Sequence, residues 1–308
     1  MDPRRLLLFR SAARAGSLTA AARELATTQP AVSQQLRLLE REVGVPLLLR
    51  GARGVTLTEA GQRLLVQADA VASHLHQADE ELAALTQLRT GRVRLVAFPS
   101  AAATLVPDAL HALAVEHPGV SVEMVESEPP EATAALRRGD ADVAVVFDYS
   151  DQGVPTAPDD VDTLAWVPLG DEPVRLVMAR GAALSDAQLA DQTWIAGCPR
   201  CRGHLVESCR RAGFEPRISF ESDDYVVVQN LVARGLGVTG LPALALRAYG
   251  HPDVQVGHTL LFGRRRVGVL HRPGADQVPA TRALLERLQR AARHIFEAVP
   301  GADGTPKA

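Results

Sequence analysis

The segment from Thr28 to Gly61 constrains this chain more than any other feature. Thr28-Gln29-Pro30 opens a helical run to about Glu42. Thr28 can cap it with its hydroxyl, and Pro30 falls in the first turn, where backbone donors have no intrahelical partner. Val32, Leu36, Leu39 and Val43 recur at spacings of four, three and four, the period of one inward helical face. Gln29, Ser33, Gln34 and Arg37 fall on the other side. Helical patterns over 4–14 and 19–26 precede this run, the second behind a Ser17 cap. Behind it, two short β-prone runs flank a Gly51-Ala52-Arg53-Gly54 tip. Two short helices joined by a tight turn, then a hairpin, make a winged helix-turn-helix.

That reading assigns chemistry to the polar face. The Gln29 amide can pair with an adenine edge in the major groove. Ser33 and Gln34 can reach other base edges or phosphate, and Arg37 suits the sugar–phosphate backbone. Arg50 sits at the wing, and Arg53 at its tip can enter a minor groove, which attracts cations. The helix alone would equally fit an amphipathic element with a solvated face; the wing tips the balance toward DNA. Charge agrees. Residues 1–66 carry ten Arg against five acids, so the rest of a chain of net charge -3 is acidic, with an excess of eight negative charges. A basic head on an acidic body fits a protein whose head alone meets phosphate.

A long helix follows Thr58. Leu64, Ala68, Val71, Leu75, Ala78, Leu82 and Leu85 alternate spacings of four and three, a heptad seam. The seam can close on the chain's own body or on a second copy. A second copy is expected, because a helix that links domains would otherwise expose its stripe.

From Arg92 strand-like runs alternate with helical ones up to a final helix over 278–299, the grammar of parallel α/β sheets. Ligands in such sheets bind at the carboxyl ends of strands, beside helix N-termini. The rule selects Ser100, Phe147, Asp148, Cys198, Arg200, Cys201, Arg202 and Ser222. Ser100 with Arg202 would suit an anion. Three cysteines, Cys198, Cys201 and Cys209, lie close together with His204 between them. Three readings stay open: Cys209 in the core with the others lining a cleft, a redox pair sharpened by Arg200 and Arg202, or a zinc set of awkward helical spacing. No catalytic signature is present, so an enzyme is not expected, and neither is a cofactor or metal. Arg4-Arg5 and the apolar run behind it fall short of a secretion signal because Arg10 and Arg14 interrupt them. No stretch is long enough to span a membrane, so the expected location is the cytoplasm, with reduced thiols.

Gly16-Ser17-Leu18-Thr19-Ala20-Ala21-Ala22, Gln29-Pro30-Ala31-Val32-Ser33-Gln34-Gln35-Leu36, Gly44-Val45-Pro46-Leu47-Leu48 and Arg53-Gly54-Val55-Thr56-Leu57-Thr58-Glu59-Ala60-Gly61 resemble the DNA-binding domain of LysR-type transcriptional regulators. One departure is Gln34, where many members carry Arg. The resemblance implies a linker helix that pairs two subunits, an interrupted palindrome as target, and assembly as a dimer or tetramer. RNA polymerase becomes a candidate partner beside double-stranded DNA and a small-molecule effector, and Ser100 matches a position where a small hydroxyl residue is usual. The expected architecture is α/β: an N-terminal winged helix-turn-helix (1–60), a long linker helix (61–90), then a two-subdomain periplasmic-binding-protein-like α/β effector domain (91–300). Subdomain I takes 91–163 and 268–300, subdomain II takes 164–267, and 301–308 form a disordered tail. The expected function is ligand-controlled, sequence-specific DNA binding. The alternative is a solute-binding or redox-sensing α/β protein in which the cysteines give the signal.

Overall fold

The computed structural model describes residues 1–51, 54–84, 91–149, 164–257, 259 and 261–297. The chain divides into two compact units, Met1–Leu85 with Arg137–Asp140, and the remainder. Each is described by itself.

The first unit opens with α1 (Pro3–Ala15), α2 (Leu18–Glu24) and α3 (Gln29–Val43), capped by the side chains of Asp2, Ser17 and Thr28. Phe9, Ala12, Ala21, Val32, Leu36 and Leu39 are almost wholly buried between them. β1 (Leu48–Gly51) and β2 (Gly54–Leu57) pair antiparallel as the wing. One buried-side carboxylate aims this hairpin: Glu40 Oε1 accepts from the backbone N–H of Leu47 at 2.8 Å and of Leu48 at 3.1 Å. Gly54 has φ +118, and a Cβ there would meet the Gly16 carbonyl oxygen at 2.3 Å, so the wing can touch the α1–α2 turn only through a glycine. The tip residues Ala52 and Arg53 lie outside the described residues, as do Leu85 and the tail at 301–308.

α4 (Glu59–Ala84) divides the heptad seam in two. Ala68 is fully buried in the core of the head, and Leu64 and Val71 pack against that core. Leu75 is 48% exposed, and Ala78 is exposed. The expectation that the whole seam faces a second copy is therefore corrected. Three short helices and a two-stranded wing leave an open apolar floor, and the first turns of α4 close it. Only the later part of the stripe remains for another chain.

The second unit holds a sheet of seven strands. Its elements in order are β3 (Gly91–Ala97), α5 (Pro99–Ala102), α6 (Leu105–Glu116), β4 (Val120–Glu126), α7 (Pro129–Arg138), β5 (Val143–Asp148), β6 (Ala165–Ala179), β7 (Thr193–Ala196), α8 (Pro199–Arg211), β8 (Arg217–Glu221), α9 (Tyr225–Ala233), β9 (Thr239–Pro242), α10 (Ala243–Ala248), β10 (Val254–Gly257), β11 (Arg264–His271) and α11 (Pro279–Glu297). A 3-10 turn (Asp186–Asp191) precedes β7. The strands run β10-β6-β11-β5-β3-β4, with β9 also on β6. β3 pairs parallel with β4 and β5, but β11 pairs antiparallel with both β5 and β6. An all-parallel sheet is thus corrected to a mixed one. β6 is a single strand of 15 residues. Its first half borders β11 and its second half borders β9 and β10, so a single strand carries the chain from one lobe to the other. β7 and β8 form a separate parallel pair. One apolar cluster surrounds Leu95, Leu105, Val145 and Leu288 and another Leu176, Trp194, Leu205 and Cys209, and Tyr149 packs against both. Among the described residues no helix is long and apolar enough to cross a membrane.

Candidate functional site

The polar face of α3 comes first in the chain. Thr28 is its N-cap, with Oγ1 accepting from the Ala31 N–H at 3.4 Å. Thr28, Gln29, Pro30 and Gln34 are exposed at the helix start. Arg37 is exposed one turn later and donates to Ser33 Oγ at 3.0 Å. Ser33 is the correction: it is only 6% exposed and is held by that bond, so it positions Arg37 rather than standing free on the face. The backbone of Arg50 lies in β1, and Arg53 lies outside the described residues.

The effector-domain residues converge on a cation that the sequence expectation missed. Arg265 lies on β11 beside Val267 and Val269 on the inward face, and is 2% exposed. Its Nε donates to Glu172 Oε1 at 2.7 Å and its Nη2 to Ser100 Oγ at 2.7 Å. Its guanidinium lies 4.8 Å from the Phe98 ring centre and 4.3 Å from that of Phe147. Glu172, with no exposed surface, also accepts from the backbone N–H of Leu244 at the start of α10. Burial by itself would drive Arg265 toward neutrality; Glu172 beside it holds the guanidinium charged and its pKa above the ordinary value. Elements of both lobes thus share one buried charge pair.

Beside Arg265 lies a cavity of about 30 Å³ lined by Glu128, Cys198, Cys201, Ser222 and Tyr225, with Phe147 in its wall. That is room for about one water. Burial raises the pKa of Glu128, whose Oε2 is buried without a hydrogen-bond partner. Burial likewise raises the Tyr225 phenol. Cys198 caps α8, its Sγ accepting from the Cys201 N–H at 3.4 Å, and the two sulfurs stand 3.2 Å apart. The pair splits in proton affinity. The bond from Cys198 lowers Cys201, with Arg265 and the Tyr149 hydroxyl assisting, and the same bond raises Cys198. The Tyr149 hydroxyl donates to Cys201 Sγ at 3.5 Å.

The remaining expectations divide. Arg200 Nη1 donates to the Phe147 carbonyl at 3.0 Å and stands 3.5 Å from Asp148, closing the end of β5. Arg202 does not join Ser100. It points outward on α8, pairs with Glu221 at 2.9 Å, and borders a shallow depression with Cys198 and Ser222. The Ser100–Arg202 anion site is corrected, because Arg265 already holds Ser100. Cys209 is fully buried in the second-lobe core, and His204 Nε2 donates to the Phe262 carbonyl. That geometry removes both from a zinc set, and among the described residues no cluster of three His, Cys, Asp or Glu side chains can hold a metal. A sequence signal for Arg265 existed. In Arg264-Arg265-Arg266-Val267-Gly268-Val269, strand alternation puts Arg265 on the same face as Val267 and Val269.

Family models match both parts of the chain. Residues 3–62 match the bacterial regulatory helix-turn-helix protein model of the lysR family, and residues 86–293 match the LysR substrate binding domain. The probable HTH-type transcriptional regulator LrrA of Synechococcus elongatus is 30% identical over 301 residues, covering 96% of this chain and 99% of that protein. The Hca operon transcriptional activator HcaR of Escherichia coli is 32% identical, covering 79% and 82%. The fold matches the crystal structure of CbnR, a LysR family transcriptional regulator, at TM-score 0.63 and 22% identity, covering 95% of this chain and 99% of CbnR. A full-length OxyR variant from Pseudomonas aeruginosa matches at TM-score 0.69 and 23% identity, with 95% of each chain covered. With a helix-turn-helix head matched at one end and a substrate-binding domain over most of the rest, this chain belongs to the LysR family of DNA-binding transcriptional regulators.

Proposed function

We propose that this regulator works in the cytoplasm as a dimer or tetramer and reads an interrupted palindrome. Gln29 and Gln34 at the exposed start of α3 meet base edges, with Thr28 and Pro30 beside them. Arg37, Arg50 and Arg53 meet the backbone and the minor groove. Leu75 and Ala78, exposed on α4, join two copies and so set the half-site spacing.

The effector binds in the cavity between the lobes. One observation carries this: Glu128 lines the cavity with a buried, unpartnered carboxylate oxygen, beside an Arg265 that two lobes hold in place. A buried acceptor without a donor costs stability until something satisfies it. A small polar molecule that donates to Glu128 supplies that bond. A simple anion fits less well, because Glu172 already neutralises Arg265. At about 30 Å³ the cavity must open to admit such a molecule, and lobe movement about β6 then becomes the signal passed to the head.

Fluorescence anisotropy with the DNA directly upstream of its own gene tests the core of this reading. Binding tighter than to a scrambled duplex, with log affinity falling linearly in log salt, is expected. Equal affinity for both duplexes at every salt concentration overturns it.

A further inference from the structure

We propose that the second lobe carries another ligand site, for a small organic anion with an aromatic or branched apolar body. A pocket of about 660 Å³ opens beside α8, the 3-10 turn and the segment leading into β11. That volume lies in the range of about 300–1,000 Å³ usual for small-molecule sites. The pocket shares no lining residue with the cavity at Arg265.

Its walls mix polar side chains with aromatic rings. Phe214 and Phe262 line it, together with Tyr149, whose ring stacks on His204 with centres 3.8 Å apart. Two cations stand at the same pocket. Arg211 donates to Ser208 Oγ at 3.2 Å, and Arg264 to the Asp171 carbonyl at 2.7 Å. Among the described residues neither guanidinium meets a carboxylate within ion-pair distance. Asp186 is the acid among the described lining residues, against these two arginines. Burial lowers the His204 pKa, so the imidazole that donates to the Phe262 carbonyl adds no third charge. A carboxylate can take both oxygens to a guanidinium fork, while an apolar body covers the rings. A neutral aromatic gains only the second contact, and a cation is repelled.

Tyr149 ties this pocket to the cavity. Its ring faces the pocket, while its hydroxyl donates to Cys201 Sγ on the cavity side. Arg264 and Arg265, neighbours on β11, likewise serve the pocket and the cavity in turn. A ligand that holds Tyr149 on His204 holds its hydroxyl on the sulfur, and once Cys201 is ionised a hydrogen-bonded thiolate is a poorer nucleophile.

The test uses the full-length protein, 1-naphthoate and its uncharged counterpart 1-naphthamide, followed by titration calorimetry. Saturable 1-naphthoate binding is expected, weakened about tenfold or more in an Arg211→Gln/Arg264→Gln double variant, with naphthamide binding unchanged. Both arginines are exposed, so the variant keeps its fold. In a Cys209→Ser background, at a pH where Cys201 is fully ionised, saturating 1-naphthoate slows iodoacetamide alkylation of Cys201 by about twofold or more. Tyr149→Phe, which keeps the ring and lacks the hydroxyl, abolishes that slowing. Absence of saturable binding, or equal affinity in the double variant, overturns the site. Binding lost in Ser222→Ala but kept in the arginine variant places the anion in the cavity and overturns it equally. Unchanged alkylation on a saturated protein overturns the link through Tyr149.

Discussion

In the head, the residues aimed at a partner are exposed, lie within one helix and a hairpin, and lean on one another only locally. Thr28 caps its own helix, and Arg37 reaches Ser33 four residues away. In the effector domain, the central group is almost sealed from water, and its partners stand 93 and 165 residues away in the chain. DNA is large and comes to a surface, so its contacts need no burial. A small effector must be enclosed, so its contacts become part of the core and the lobes depend on them. Recognition and stability are therefore separable in the head and joined in the effector domain.

The largest effect expected from this contrast is at Arg265. Arg265→Met leaves Glu172 charged, buried and unpaired, which costs about 3–5 kcal/mol. Urea denaturation should show that loss in the full chain, and Arg265→Met/Glu172→Gln should recover most of it. If the single and double variants unfold alike, the charge pair does not hold the lobes, and the contrast fails on the effector side.

The linker helix cuts the same contrast within one element. Leu75→Asp puts a charge on an exposed position, so sedimentation velocity should show a smaller assembly while circular dichroism stays native. Ala68→Asp places the same charge in the core of the head and should unfold it. An unchanged assembly in Leu75→Asp means that other surfaces join the copies.

Gln29→Ala should act on DNA alone. Losing a good base contact removes about 1–3 kcal/mol of discrimination between the preferred and a scrambled duplex. Thermal stability should stay as it was, because Gln29 is exposed in the first turn of α3. A matching fall in stability would show that the head, too, joins recognition to folding.

The same division decides what the sequence revealed. Caps, the Val32–Leu36–Leu39 stripe and the wing depend on neighbours within a few residues, and each lies where the pattern puts it. A helical wheel gives the direction of Ser33 but not its burial, because a wheel carries no information on what covers a side chain. The strand-end rule brought Phe147, Cys198, Cys201 and Ser222 to the cavity, since it rests on the general geometry of α/β sheets. It could not supply Glu172, which lies within β6, and Glu128, which the rule does reach between the end of β4 and the start of α7, was passed over. It also took Ser100 for an anion ligand, whereas a distant strand had already given that hydroxyl a partner.

The smallest effect concerns the thiols, and it separates local from long-range control inside the effector domain. Cys209 answers to burial, which pushes it up to about 11. Cys201 answers first to its neighbour Cys198, and then to Arg265 and Tyr149, which hold it below the ordinary thiol value. A thiolate is the species that alkylates, so labelling as pH rises should reach Cys201 before Cys209. Folding that favours the Cys201 thiolate adds stability at pH above the unfolded thiol's pKa, and that contribution fades as pH falls through the lower folded value. Mass spectrometry of iodoacetamide adducts across pH gives the order directly. Cys198→Ala should move the Cys201 phase to higher pH, because the largest cause of its lowering is gone. If that phase stays where it was, Arg265 governs the thiol through space, and the site is set by long-range charge even at its most local pair.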